Sequence, residues 1–183
     1  MMLEDAYSLT IVAGSNSDEQ TYNPYSKNGL FISPNIALWV LQTFDYPYSN
    51  CGEKYKVVGI CDMPFILWVG RALGRNGGNS DKRLFSVLDE VVSRGLPINQ
   101  SYEGFTAVHE AILFNNAVYL EYLLKNGGDT TVKTQRPNSE LDKLNSYQFL
   151  EILKLKNKSG MVAVEEVLNR YREMPNKPFK QDF

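Results

Sequence analysis

Histidine occurs once and cysteine twice among the 183 residues, and these two shortages exclude more chemistry than any other feature of the chain. A Ser-His-Asp triad, a Cys-His pair or a two-histidine metal centre would each have to run through His109. Cys51 and Cys61 are too few, and too far from other candidate ligands, for a zinc site. Long apolar runs are also missing. The longest candidate, Met63–Val69, is stopped by Gly70 and Arg71, against the roughly 20 apolar residues that a spanning helix needs, so no membrane span is expected. No sign of charge dominates: 19 Lys and Arg against 21 Asp and Glu leave a net charge of -2, which gives a polyanion no bulk attraction, and nucleic acid is not an expected partner. Met1-Met2-Leu3-Glu4-Asp5 has neither a basic n-region nor an apolar h-region, so no secretory leader is expected in this sequence.

Glycine motifs are equally unhelpful to catalysis. Gly14-Ser15-Asn16-Ser17 has the wrong spacing for a nucleophile elbow, and Gly70–Gly78 contains no Gly-Lys-Ser/Thr phosphate loop. Asp89-Glu90 and Glu165-Glu166 are adjacent on helices, so their side chains diverge. The reading is therefore a protein that is not an enzyme, with no catalytic residue, no metal ligand and no cofactor.

What the chain does contain is ordinary globular composition, 43% hydrophobic and 22% charged, enough for one domain with an irregular extension. Ala6–Leu30 is the least helical stretch, with Leu9–Ala13 as a strand or extended arm. Ser33-Pro34 reads as an N-cap and a proline in the first turn ahead of Ile36, Leu38, Trp39, Leu41 and Phe44. Asp45–Gly52 is a turn-forming cluster and Tyr55–Ile60 a short β-rich piece. Cys51 and Cys61 could close a small loop as a disulfide, or stay as free thiols. Tyr7, Tyr22, Tyr25, Tyr46, Tyr48 and Tyr55 form a tyrosine-rich arm that either packs on the first helices or meets a partner.

Helix–loop–helix then becomes the unit. Asp62 can cap a helix with Phe65, Ile66, Trp68, Val69 and Leu73 on one face, ending at Gly74. Ser80 or Asp81 opens another with Leu84, Val87, Leu88, Val91 and Val92, ended by Gly95. The arrangement recurs from Thr106 through Leu113, a break at Asn115-Asn116, then Val118–Leu124 and a stop at Gly127-Gly128. A third copy runs Ser146–Leu155, a polar break at Lys156–Gly160, and Val162–Tyr171. Gly95 and Gly127 lie 32 positions apart, and a period in the low thirties points to a helix-pair solenoid.

Gly104-Phe105-Thr106-Ala107-Val108-His109-Glu110-Ala111 resembles the ankyrin-repeat signature Gly-x-Thr-Pro-Leu-His-x-Ala, with Ala107 and Val108 in place of the usual Pro and Leu. Asn116, Leu120, Leu123-Leu124 and Gly127 with Asp129 fall where that family has its second-helix start, its leucines and its terminal Gly-Ala-Asp. Thr106 would cap the first helix, Ala111 would let two helices approach, and Gly127 would take the left-handed conformation that stops the second. The resemblance implies that His109 bonds backbone between adjacent repeats rather than serving as a base. It is strong over one repeat, moderate over Leu84–Asn99, weak over Leu144–Tyr171 and absent from residues 1–60.

The expected fold is all-α: a short ankyrin-like solenoid of about three helix pairs over residues 61–175, with an irregular N-terminal region at 1–60 and a tail at 176–183. About three units are what such a stack needs for stability. Loop tips at Pro97–Glu103 and Thr130–Asn138 should carry partner contacts, with Tyr102, Glu103, Phe105, Gln135 and Arg136 as candidate residues. Small bacterial ankyrin-like proteins with a divergent N-terminal region resemble immunity proteins, which implies occlusion of a cognate toxin or effector, including a type VI secretion phospholipase, and a periplasmic location. The alternative is an intracellular adaptor, host-directed effector or regulatory subunit in the cytoplasm.

Overall fold

Eight helices and two small hairpins make up the regular structure among the residues that a computed structural model describes: 6–15, 21–22, 31–44, 63–75, 77–156 and 160–172, with backbone alone at 21–22 and 31–32. The chain divides into two compact units, 1–97 and 98–183, whereas the sequence reading draws its boundary at 60/61. Cys51, Cys61, Asp62, the Asp45–Gly52 turn cluster, the β-rich piece Tyr55–Ile60 and the 176–183 tail lie outside the described residues. So does most of the tyrosine-rich arm.

In the first unit, α1 (Ala6–Ala13) is buried on almost every side, with only Ile11 exposed. Here the expected strand or arm at Leu9–Ala13 is corrected: these residues are helical. Thr10, Ile11 and Val12 favour strands intrinsically, but a helix buried all round carries no amphipathic period to detect, and the Thr10 hydroxyl stays paired by donating to the Ala6 carbonyl (2.7 Å). Thr21–Tyr22 (β1) and Phe31–Ile32 (β2) pair antiparallel. Ser33 then caps α2 (Pro34–Thr43), its hydroxyl accepting the Ile36 amide.

Phe65, Ile66, Leu67 and Val69 of α3 (Phe65–Ala72) are buried, and Tyr7 meets Phe65 and Trp68 edge-on at 5.2 and 5.4 Å. The fourth helix, α4 (Gly78–Ser93), starts earlier than Ser80 or Asp81, after Gly77 at φ 66°. Both expected caps are engaged elsewhere: the Ser80 hydroxyl donates to the Gly14 carbonyl (2.5 Å) and the Asp81 carboxylate accepts the Gly74 amide (3.0 Å). Buried Arg83 donates to the carbonyls of Ala13 (2.6 Å) and Ser15 (2.5 Å), so a cation sits where the end of α1 is negative.

The second unit begins with a hairpin of Ser101–Tyr102 (β3) and Phe105–Thr106 (β4). Its turn, Glu103 at φ 49° and Gly104 at φ 83°, is the mirror-image type whose twist matches paired strands. The chain continues into α5 (Ala107–Leu113), α6 (Ala117–Lys125), α7 (Ser146–Lys156) and α8 (Val162–Arg172). Packing alternates: α5 lies against α6 and α7, while α6 lies against α8. Ala111, Ile112, Leu120, Leu123, Phe149, Val164 and Leu168 form the buried centre. Asn115 Nδ2 donates to the Gly160 carbonyl (2.5 Å), joining the turn before α6 to the start of α8.

Candidate functional site

The candidate partner-binding residues come from two segments 30 positions apart in sequence, and the backbone brings them together. The Gln135 amide donates to the Gly104 carbonyl at 3.0 Å, so the hairpin tip and the loop that follows α6 lie side by side. Glycine is required at 104 for two reasons: its φ is positive, and a Cβ there would sit 2.1 Å from the Gln135 carbonyl oxygen. Arg136 reaches back, donating from Nη1 to the Glu103 carbonyl (3.0 Å) and covering the Phe105 ring at 5.2 Å. Phe105 in turn leans on buried Phe149 (5.5 Å between centroids). Glu103, Gly104, Gln135, Arg136, Pro137 and Ser139 line an open depression between the two tips.

The five candidates differ in what they can offer a partner. Glu103, Gln135 and Arg136 are exposed, Tyr102 and Phe105 half-buried. Arg136 is already committed to the hairpin through Glu103 and Phe105, and its own amide donates to the Asp142 carboxylate (2.7 Å). The side chains of Glu103 and Gln135 carry no described hydrogen bond or ion pair, which leaves them the accessible polar groups of the tip.

Beneath the tip sits the lone histidine. Thr106 Oγ1 accepts the His109 amide (3.5 Å), and His109 Nδ1 lies 2.8 Å from that hydroxyl and 3.4 Å from the Thr106 amide, a reciprocal cap on α5. Nδ1 must accept in this arrangement, which puts the ring proton on Nε2. Nε2 is buried with no hydrogen bond of good geometry among the described residues. Burial pushes the His109 pKa down to about 4, against an upward pull from the Leu144 carbonyl. The imidazole is thus neutral, fully buried and occupied as a helix cap.

Gly127 stands at φ 92°, as does its counterpart Gly95 at φ 81°. Both helix ends close the same way: the Leu96 amide reaches the Val91 carbonyl (3.0 Å) and the Gly128 amide the Leu123 carbonyl (2.8 Å). Ala111 is buried on α5, one turn beyond Ala107.

Several supporting residues went unassigned in the sequence. Asn99 clamps the end of α6 to the loop before the hairpin, donating to the Gly127 carbonyl (3.0 Å) and accepting the Asp129 amide (2.8 Å). Thr134, fully buried, closes the 134–144 loop by bonding the Leu141 carbonyl and the Leu144 amide. Gly128 is pinned because a Cβ would lie 2.9 Å from the Leu123 carbonyl oxygen. Asn and Thr in loops signal side-chain-to-backbone bonding in general, but nothing in the sequence says which backbone. Among the described residues, no group of three or more His, Cys, Asp or Glu could hold a metal ion, and no helix is long and apolar enough to cross a membrane. No protein-family model, curated protein or solved structure matches the chain.

Proposed function

We propose that this chain is a non-enzymatic protein-binding module built from ankyrin-like helix pairs, and that it acts as an immunity protein that occludes a toxic effector, type VI secretion phospholipases included. The observation that carries the reading is the meeting of the two loop tips, Glu103-Gly104 and Gln135-Arg136, on one exposed edge. Helix-pair repeats present successive tips to a partner in this way. Three further features support it: the alternating α5–α7 and α6–α8 packing, the matching helix ends at Gly95 and Gly127, and the Thr106–His109 cap. The last removes the commonest general base from solvent.

The location follows the target: an effector that attacks lipid in the envelope is met in the periplasm, whereas an adaptor role would put the chain in the cytoplasm. Both are tested by co-expression. A type VI secretion phospholipase from the source organism is directed to the periplasm of a sensitive strain, with this chain supplied to the periplasm or to the cytoplasm. Survival only with the periplasmic form supports immunity there. Death in both cases, with no complex between the purified proteins, sinks the immunity reading.

A further inference from the structure

The described part of the first unit holds a half-enclosed cavity of about 400 Å3 that the proposed binding edge does not use. Its volume falls within the roughly 300–1,000 Å3 of small-molecule sites. Ile11, Met63, Trp68 and Ala72 form apolar walls, Arg71 and Arg75 stand at its rim, and no acidic side chain is among its lining residues. Trp68 is held from behind by Phe65, stacked at 13° with 6.4 Å between centroids, and by Tyr7 edge-on, so its ring is set before anything arrives. Ile11 is the one exposed residue of otherwise buried α1, and it is exposed here, in the cavity wall. Arg75 is exposed, and among the described residues its only bond is a backbone one, from its amide to the Ala72 carbonyl.

We infer that this cavity binds a single-chain carboxylate amphiphile, its hydrocarbon against Ile11, Met63 and Trp68 and its carboxylate on the Arg75 guanidinium. An apolar pocket lined on its charged side by arginine alone selects for a ligand that is apolar at one end and anionic at the other, since only an anionic end adds a charge-assisted bond to the exposed Arg75 guanidinium. A cavity of this size takes one chain and not a bilayer surface.

Trp39 and Trp68 are the only tryptophans, so Trp39→Phe leaves Trp68 as sole reporter. The full chain carrying that change is titrated with decanoate, with decanol as the uncharged control and phosphatidylglycerol vesicles as the membrane control. The expected result is a saturable Trp68 fluorescence change with decanoate, at least fivefold weaker with decanol and at least fivefold weaker after Arg75→Glu or, if that variant misfolds, Arg75→Gln. No saturable change with decanoate, equal affinity for decanol, unchanged affinity in the folded Arg75 variant, or a response to vesicles alone would each overturn the inference.

Discussion

The end of α1 and the helix starts of the second unit are held by different means. In residues 98–172 the starts of α5, α6 and α7 are tied by side chains three positions away: Thr106 with His109, Asn116 with the Tyr119 amide, Asn145 with Gln148. In the first unit, the end of α1 is tied by Arg83, nearly 70 residues further along. Local capping leaves a signature in sequence because donor and acceptor sit at fixed offsets. A distant arginine leaves none.

The comparison can be broken by substitution. Gly104→Val should cost most, about 4 kcal/mol, because it combines a β-branched residue at positive φ with a direct clash against the Gln135 carbonyl; urea unfolding that stays within 1 kcal/mol or so of wild type would show that the hairpin and the following loop are not locked together.

Acid probes the same unit through His109. Its folded pKa of about 4 lies below the ordinary value of 6.5, so the unfolded chain binds the proton more readily between those values. The stability linked to this residue is fully present above pH 6.5 and is lost as pH falls toward 4, on the order of 3 kcal/mol. Denaturant midpoints measured from pH 7 to pH 4 should fall further for wild type than for His109→Asn, and parallel curves would remove His109 from the buried cap.

Arg83→Met tests the first unit and should cost about 2–3 kcal/mol, since it strips charged donors from buried carbonyls at the end of α1. Hydrogen exchange should show α1 opening first. Smallest are the matched glycines: Gly95→Ala and Gly127→Ala should each cost about 1 kcal/mol, because each forces a side chain to positive φ in open space. Equal costs sharpen the parallel between the helix ends, and a marked inequality breaks it.

Legibility in the sequence followed the contrast between local and distant ties. The helices from Phe65 onward could be placed within a few residues, because apolar spacing, Asn and Thr caps and terminal glycines recur. The hairpin at Ser101–Thr106 was missed as a hairpin, though Glu103-Gly104 is a turn pair, because two-residue strands have no alternation to see. The α1 helix was missed because its burial comes from partners far along the chain. At the candidate site, Glu103, Gln135 and Arg136 are exposed and Tyr102 and Phe105 half-buried, and the meeting of the two tips through Gln135 and Gly104 was not readable. Nor was the double engagement of Arg136, which makes it a positioning residue for the tip.

That distinction selects the decisive experiment. Glu103→Lys with Gln135→Glu alters the exposed tip without touching the described bonds of Arg136, Phe105 or Thr106. Calorimetric titration against the phospholipase proposed as its target should show binding at least tenfold weaker than wild type, with the melting temperature unchanged within a degree or two. Wild-type affinity in that folded variant would contradict the central claim that the paired tips are the binding edge.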